Sequence, residues 1–375
     1  MLAKNISLNE FMETHCKDKE YLEQGTLHKM FDSNSCNICI VSSNEYAPFT
    51  GVTLQSIIAN ASDKYNYDIV IFTDDMEYVN REKLYKMVIG INNISIRICN
   101  ITYLIKNMKF FTWSHFTGQT YYRLLIPILL KEYTKVLYLD SDTVVNNDVA
   151  ILYNEDISGY LFGAAYDTHV ISFCSRTPAL EQLEYNKNIL NMEDPLNYFQ
   201  LGVCLYNLEE IRKKYKEDYF INEAQRSKLR WLDQDLINKL CNKDIKKISN
   251  RWNVMIANNP GSLDEALLPD KLIKEYLDAR NNPYIIHYIG KAIPCFTQTP
   301  DMYSYFWRYA RETEYYEIIL QKMYKSIIDD SMNQKKSVLK VGRLFFMSII
   351  NICLPKGSKL RIKVKNFIFK LKSWK

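Results

Sequence analysis

Lys135-Val-Leu-Tyr-Leu-Asp-Ser-Asp-Thr-Val-Val145 is the most informative segment of this chain. The apolar and aromatic residues Val136–Leu139 predict a short buried strand, because they are too few for a helix and rich in β-formers. Alternate residues of an extended chain face the same side, so Asp140 and Asp142 should point their carboxylates at one spot, with Ser141 turned aside. Two carboxylates at the carboxyl edge of an α/β sheet suit a hard divalent cation. The alternative is a solvated turn, which an isolated Asp-x-Asp would favour.

Short apolar segments recur on both sides of this strand. The predicted strands are Ile38–Val41, Ile69–Phe72, Ile94–Ile98, Val136–Leu139, Leu161–Ala165 and Val203–Tyr206. Helices are predicted between them, for example over Thr53–Asn60 and Tyr121–Leu130. This alternation predicts an α/β fold with a mixed, mostly parallel central sheet covered by helices.

The nine cysteines are odd in number and scattered. Cys36-Asn-Ile-Cys39 has the spacing of a redox motif, but Cys39 lies in a predicted strand and no second pair completes a zinc site, so a structural role is favoured. Met1–Asp18 lacks the apolar core of a signal peptide. No run reaches the roughly 18 apolar residues of a membrane-spanning helix. We therefore expect a cytoplasmic protein with reduced thiols.

Seven motifs follow one another in order through residues 38–290. They are Ile38-Cys-Ile-Val-Ser-Ser-Asn-Glu-Tyr-Ala-Pro48, Gly51-Val-Thr-Leu-Gln-Ser-Ile-Ile58, Thr120-Tyr-Tyr-Arg-Leu124, Asp140-Ser-Asp142, Tyr198-Phe-Gln-Leu-Gly-Val-Cys-Leu-Tyr-Asn207, Trp231-Leu-Asp-Gln-Asp-Leu-Ile-Asn238 and His287-Tyr-Ile-Gly290. Together they resemble the retaining glycosyltransferases of family 8, which include bacterial lipooligosaccharide galactosyltransferases and glycogenin. The resemblance implies a GT-A-type fold and a nucleotide-sugar donor whose leaving diphosphate is neutralised by a divalent cation.

By this resemblance the cation ligands are Asp140, Asp142 and His287. Mn²⁺ is expected in preference to Mg²⁺, because imidazole is a softer donor than oxygen. An isolated histidine at a strand end would more often be a packed core residue. The Tyr-Ile-Gly that follows His287 matches the family's His-Tyr-x-Gly and therefore favours the ligand role.

The segment after this histidine departs from the family pattern. Gly290 would still let the backbone approach the phosphates. The family places a diphosphate-binding lysine three residues after the glycine, where this chain has Ile293. Lys291 is the candidate replacement, and Cys295 stands where the family has tryptophan.

The loop after the first strand is the predicted nucleotide site. Ser43, Asn44 and Glu45 stand where the family generally has Asp-Asp-Asn to hold uracil and ribose. Ser43 can still form hydrogen bonds, Glu45 can accept from ribose hydroxyls or the uracil imide, and Tyr46 would stack on the base. Ser141 is assigned to the same donor site. The alternative is that this loop is an ordinary turn with no role in binding. The expected donor is a UDP-hexose.

Five further residues are assigned to the donor sugar by the same resemblance. Arg123 would lie near the sugar and the metal-binding carboxylates, where its planar guanidinium suits the role, although a solvated helix residue is the alternative. Asp233 would contact sugar hydroxyls, unless Asp233-Gln-Asp is simply the acidic first turn of a helix. Gln200 would add a sugar hydrogen bond, and Asp167 is a candidate at the junction of donor and acceptor. Gln234 would lie at the β-face of the anomeric carbon.

Retention by double displacement needs a nucleophile on that β-face. The amide of Gln234 is a poor nucleophile. We therefore favour front-face return, in which the acceptor hydroxyl attacks from the side of the leaving group and the enzyme works by positioning and electrostatic stabilisation.

The charge of the chain is divided unevenly. Residues 331–375 contain twelve Lys or Arg and no Asp or Glu, whereas residues 1–330 contain 36 basic and 43 acidic side chains. The basic segment reads as two amphipathic pieces around Pro355, with Phe, Ile and Trp374 among the cations, which suits an anionic membrane surface. A solvated helix is the alternative, and no groove-reading motif supports nucleic acid as the partner.

These features predict four regions. They are a helical extension over 1–33, a GT-A catalytic domain over 34–300, a closing helical segment over 301–330 and a membrane-associating tail over 331–375. The expected function is hexose transfer to a cell-surface glycan, such as lipopolysaccharide or capsule, at the inner face of the membrane. The alternatives are a sugar- or nucleotide-binding protein with impaired catalysis and a metal-dependent nucleotidyltransferase.

Overall fold

The computed structural model of the chain describes residues 27–113, 117–175, 180–256, 267–297, 301–329 and 331. The predictions for residues 1–26 of the N-terminal extension and for residues 332–375 of the basic tail lie outside this part of the chain. The chain divides into two compact units, Met1–Ile319 and Leu320–Lys375. Residues 320–329 of the second unit are helical. All the strands described below and the candidate site lie in the first unit.

Ten strands are numbered here in chain order. They are β1 (Ser35–Val41), β2 (Asn66–Thr73), β3 (Ile94–Asn100), β4 (Lys135–Asp140), β5 (Thr143–Val145), β6 (Phe162–Tyr166), β7 (Phe199–Asn207), β8 (Ile245–Lys247), β9 (Val254–Ile256) and β10 (Ile285–Tyr288). Seven form one sheet in the order β3-β2-β1-β4-β7-β6-β8, and three form a small sheet in the order β5-β10-β9. In the large sheet only β7 runs against its neighbours. The predicted α/β fold with a mixed, mostly parallel sheet is confirmed, and each predicted strand overlaps an observed one.

Apart from the helical residues 316–329, twelve α-helices lie between or after the strands of the described residues. They are α1 (Ala47–Asn60), α2 (Tyr78–Lys86), α3 (Thr102–Ile105), α4 (Ile126–Leu129), α5 (Val149–Tyr153), α6 (Thr168–Cys174), α7 (Glu181–Asn188), α8 (Leu208–Lys214), α9 (Tyr219–Arg226), α10 (Leu232–Cys241), α11 (Asp270–Asn281) and α12 (Tyr303–Ala310). Short 3₁₀ helices cover Gly118–Leu125, Asn242–Asp244, Asn250–Trp252 and Gly290–Ala292. Within the described ranges, no helix combines the length and the apolar character needed to cross a membrane.

One predicted helix differs from the observed structure. The segment predicted as a helix over Tyr121–Leu130 is a 3₁₀ helix, Gly118–Leu125, followed by α4. Pro127 lies in the first turn of α4 and has no backbone N–H to continue a preceding α-helix, so a new helix begins there. Pro48 in the first turn of α1 likewise begins that helix at Ala47, six residues before the predicted start at Thr53.

The pairing of the strands brings the loop after β1, the end of β4 and His287 close to one another. β1 and β4 are parallel, with Val41 opposite Asp140, so the loop after β1 and the end of β4 share the carboxyl edge of the sheet. β10 is antiparallel to β5, with His287 opposite Thr143. His287 is thereby brought next to the turn that contains Asp142.

Candidate active site

The three residues predicted as cation ligands lie together. One ligand atom from each of Asp140, Asp142 and His287 lies within 4.8 Å of the other two. His287 Nε2 is 3.5 Å from Asp140 Oδ2 and 3.2 Å from Asp142 Oδ1. The imidazole is buried, whereas both carboxylates keep partial exposure to solvent. Two oxygens and one imidazole nitrogen converging from the protein fit a divalent ion such as Mn²⁺ and leave one side open for further ligands.

The turn that carries these carboxylates is held by backbone contacts. Thr53 on α1 donates its hydroxyl to the carbonyls of Ser141, at 3.1 Å, and Thr143, at 2.7 Å. The N–H of Tyr288 donates to the carbonyl of Asp142 at 3.0 Å. Ser141 is itself buried. The two carboxylates are therefore fixed by the sheet and by α1, which pre-organises the cluster.

The two oxygens of Asp140 have different surroundings. Tyr138 donates its hydroxyl to Oδ1 at 2.6 Å, and Arg123 Nη1 lies 3.5 Å from the same oxygen. The other oxygen of Asp140, Oδ2, lies near His287 Nε2. Burial opposes ionisation, but the charges of Arg123 and His287 and the hydrogen bond from Tyr138 hold the pKa of Asp140 below its usual value. The carboxylate is thus kept anionic, as a cation ligand must be.

His287 responds to the same charges. Burial alone would lower the pKa of His287, but the neighbouring carboxylates of Asp142 and Asp140 outweigh it and raise that pKa. The site therefore attracts positive charge, whether as a proton or as a metal ion.

Arg123 joins this cluster to Asp233 at the start of α10. Its guanidinium Nε pairs with the Asp233 carboxylate, and its Nη1 donates to the carbonyl of Leu201 at 2.8 Å. The guanidinium also lies over the ring of Tyr138, 5.0 Å from the centroid. Asp233 is completely buried, and burial raises its pKa to about 6 although Arg123 acts against the shift. Arg123 therefore places its positive charge beside two carboxylates, those of Asp140 and Asp233.

Gln234, the next residue of α10, is held on both ends of its amide. Its Nε2 donates to Asp167 Oδ2 at 3.0 Å and contacts the hydroxyl of Tyr198 at 3.3 Å, and its Oε1 accepts from the N–H of Leu201 at 3.2 Å. Asp167 also caps α6 by accepting from the N–H of Val170. Burial raises the pKa of Asp167 to about 6, against the hydrogen bonds from Val170 and Gln234.

A bulge in β7 supplies the backbone groups used by these side chains. Ala164 of β6 pairs with Cys204, but Ala165 pairs with Gln200, so residues 201–203 stand outside the β6–β7 ladder. The freed N–H of Leu201 binds Gln234, its carbonyl binds Arg123, and the N–H of Gly202 donates to Gln200 Oε1 at 2.6 Å. Arg123, Gln234 and Gln200 are thus all hydrogen-bonded to the backbone of the bulge.

The predicted nucleotide loop lies at the same sheet edge. Ser43 Oγ accepts from the N–H of Tyr46 at 3.2 Å, and the N–H of Asn44 donates to Asp75 Oδ1 at 2.8 Å. Glu45 is exposed. Burial and then the charge of Asp142 raise the pKa of Tyr46. The loop is therefore held by its own hydrogen bonds at the sheet edge where Asp140 lies.

The segment after β10 is also resolved. Gly290 has φ +61°, a left-handed conformation that favours glycine, and it opens the 3₁₀ helix Gly290–Ala292. Lys291 is exposed on this turn, and Cys295 is buried. The position of the family's tryptophan therefore belongs to the core.

Sequence reasoning missed Tyr138, Gly202, Asp75 and Asn253, whose side chain lies 3.2 Å from His287 Nδ1. Gly202 lies inside the observed β7, where glycine is a known sign of a bulge or a close approach, but the predicted strand began one residue later, at Val203. Asn253 and Asp75 carried no such sign, because their partners are distant in sequence. Tyr138 lies two residues before Asp140, on the same face of the predicted strand, and so carried a local signal.

Gly202 has no room for a side chain. A Cβ built there would overlap the imidazole of His287 and Oδ2 of Asp140. We expect Gly202→Ala to displace one or both groups and to weaken Mn²⁺ binding by at least about 10-fold, as loss of ligand orientation does elsewhere. Isothermal titration of Mn²⁺ into the purified variant measures this.

Gly118→Ala is the matched control. A Cβ at Gly118 would meet only Phe110 Cδ2, at an ordinary contact distance of 3.8 Å. Its Mn²⁺ affinity should equal that of the wild type. Wild-type affinity in a folded Gly202→Ala protein would contradict the packing described for the cluster.

Known proteins share this arrangement of elements. Residues 37–294 match the family model described as Glycosyl transferase family 8. A Haemophilus influenzae protein assigned to the glycosyltransferases is 30% identical over 232 residues, which cover 59% of this chain and 64% of that protein. General stress protein A of Bacillus subtilis is 28% identical over 229 residues, 59% of this chain and 71% of that protein.

Solved structures are also similar to this chain. The bifunctional glycosyltransferase WbbM, in its apo form, matches with a TM-score of 0.71 and 28% identity over 80% of this chain and 53% of WbbM. The galactosyltransferase LgtC, solved with donor and acceptor sugar analogs, matches with a TM-score of 0.57 and 22% identity over 74% of this chain and 96% of LgtC, a likeness of fold alone. This chain thus spans less than two thirds of the Haemophilus influenzae relative and about half of WbbM. Since the family model covers well over half of the chain and the sheet matches its GT-A neighbours, the chain belongs to glycosyl transferase family 8.

Proposed function

We propose that the protein is a metal-dependent, retaining glycosyltransferase that moves a hexose from a UDP-sugar to a cell-surface glycan. The observation that carries the proposal is the convergence of Asp140, Asp142 and His287 within 4.8 Å, beside the loop after β1, in a chain of this family. A galactosyltransferase with donor and acceptor sugar analogs is among its structural neighbours, which supports the choice of a sugar nucleotide.

Asp140, Asp142 and His287 would hold the cation. When bound, a divalent ion neutralises the charge that develops on a leaving diphosphate. The protein's part is to keep both carboxylates ionised and to fix their direction, which Arg123 and Tyr138 do for Asp140. Ser43, Glu45, Tyr46 and Ser141 are proposed to hold the nucleotide, and the turn of Gly290 and Lys291 to approach the diphosphate.

The donor sugar is proposed to lie against Gln234, Asp233, Asp167 and Gln200. An amide that is hydrogen-bonded at both ends, as Gln234 is, presents a fixed dipole and is a poor nucleophile. Retention is therefore assigned to front-face return. The acceptor oxygen attacks the anomeric carbon as the phosphate oxygen departs on the same face, and the hydroxyl proton passes to that phosphate.

The first experiment follows donor turnover. Full-length protein with UDP-hexose and Mn²⁺ should release UDP and transfer the sugar with retained anomeric configuration, as read by ¹H NMR. In Asp142→Asn a neutral amide replaces a carboxylate that would neutralise part of the cation's charge. Turnover should therefore fall roughly 100-fold or more while the fold is kept.

Lys213 pairs with Glu209 on the exposed face of α8, so Glu209→Gln is a charge-matched control that should keep full activity. Full activity of Asp142→Asn, or of the wild type in excess chelator, would refute the metal-dependent reaction. Donor binding without turnover would identify a binding protein, which the altered nucleotide loop and shifted lysine favour as the second candidate. Release of pyrophosphate would identify a nucleotidyltransferase.

The pH dependence of turnover should report Asp167. Its pKa, raised to about 6 by burial, lies above the roughly 3.9 of a solvated aspartate, so the carboxylate gains a proton as the pH falls through 6. We expect the rate to decline below that pH, because protonated Asp167 no longer offers Gln234 Nε2 a charged acceptor. Asp167→Asn preserves an oxygen to cap α6 and should make the decline near pH 6 smaller, leaving the part that comes from Asp233. An identical profile in the two proteins would exclude Asp167 as its source.

The sequence of residues 331–375 motivates a proposal for localisation. Twelve cationic residues interleaved with aromatic ones should hold the enzyme on the inner face of an anionic membrane, where a lipid-linked glycan acceptor lies. Each basic residue near such a surface contributes on the order of 1 kcal/mol before screening. Full-length protein should co-sediment with anionic vesicles more than with zwitterionic ones, and less in high salt. Equal co-sedimentation of a chain ending at Asp330 would remove the case for this tail as anchor.

A further inference from the structure

Three buried side chains form a line behind the two carboxylates. The side-chain amide of Gln200, on β7, contacts that of Asn253, which precedes β9, and Asn253 contacts His287 on β10. Gln200 is 6% exposed, Asn253 1% and His287 2%. Solvent therefore cannot satisfy these polar groups, and each must be matched by its neighbour in the line.

The direction of every hydrogen bond in this line follows from one backbone group. The N–H of Gly202 can only donate, so the Gln200 atom that it meets at 2.6 Å must be the oxygen Oε1. A second group at 2.6 Å from that oxygen must also be a donor, which makes it Asn253 Nδ2. The remaining end of the Asn253 amide, Oδ1, then faces His287 Nδ1 at 3.2 Å and accepts from it.

His287 Nδ1 must therefore carry a proton. In a neutral imidazole with hydrogen on Nδ1, the lone pair is on Nε2. Nε2 is the atom that faces Asp142 Oδ1 at 3.2 Å and Asp140 Oδ2 at 3.5 Å. Three lone-pair donors pointing at one place repel each other unless a cation lies among them. The opposite tautomer would instead donate from Nε2 to the carboxylates and close the site without a metal.

We propose that Gln200 and Asn253 are positioning residues that set the tautomer of His287, so that its Nε2 is available as a ligand to a divalent cation. This relay of Gln200, Asn253 and His287 rests on the proposed function, because it gives the cation site its third donor. It is anchored on backbone, since the β7 bulge exposes the N–H of Gly202 that starts it. The missing Cβ of Gly202 leaves the space that the imidazole occupies.

The relay can be tested first without metal or activity. In metal-free, full-length protein labelled with ¹⁵N-histidine, long-range ¹H–¹⁵N spectra at about pH 9, well above the usual pKa of histidine, distinguish the two neutral tautomers. His287→Gln assigns the signal among the five histidines. We expect hydrogen on Nδ1 of His287 in the wild type. Hydrogen on Nε2 would overturn the relay.

Two further variants test the role of the partners. Gln200→Met removes the oxygen that orders Asn253 at nearly constant volume, whereas Gln200→Glu keeps an acceptor for both donors. The Kd for Mn²⁺, measured by electron paramagnetic resonance of the free ion, should rise about 10- to 100-fold in Gln200→Met. Gln200→Glu should bind at least as tightly as the wild type and keep the Nδ1–H tautomer.

Asn253→Ala should show the same loss of affinity as Gln200→Met. Unchanged Mn²⁺ affinity in folded Gln200→Met and Asn253→Ala proteins would overturn the relay, while tight binding by the wild type would leave the proposed function standing. Failure of the wild type to bind Mn²⁺ at all would instead overturn the cation site on which both proposals depend. The wild-type tautomer needs no variant and stays decisive if either substitution prevents folding.

Discussion

The bulge of β7 is the constraint on which the rest of the site depends. Leu201 and Gly202 leave the ladder with β6 and lie beyond the last pair with β4, Leu139–Val203, so their backbone groups would be unsatisfied in a buried strand without other partners. Those partners are the side chains of Arg123, Gln234 and Gln200. One local irregularity therefore fixes three side chains from three different elements, and the cost of interrupting the sheet is offset by the hydrogen bonds they make.

Charge balance is the second determinant of the site. Asp140, Asp142, Asp167 and Asp233 lie near one another, and among the described residues the charged partner of Asp140 and Asp233 is Arg123, with His287 beside Asp140 and Asp142. Burial raises the pKa of Asp167 and Asp233 to about 6, and for Asp233 it does so against the charge of Arg123. An additional cation would relieve this excess of carboxylates, and that is the electrostatic reason for placing one there.

The fold and the carboxylate pair were largely predictable from local pattern, whereas His287 was assigned through the family resemblance. Val136–Leu139 is apolar enough to be a strand in any context, and alternation along it directs Asp140 and Asp142 to one side. The helix over Tyr121–Leu130 was predicted less well, since Pro127 ends one helical segment and begins another. Residues 1–26 and 332–375 keep only their sequence-based predictions.

The sequence by itself determined the order of strands and helices, the carboxylate pair and the family that the motifs resemble, because these depend on residue types at short spacing. Only the tertiary structure decided that His287 lies opposite Thr143 and that Asn253 stands behind the imidazole. Those contacts join residues far apart in the chain, and strand register sets them. A shift of one residue in that register would turn each side chain to the other face, so no local pattern could have specified them.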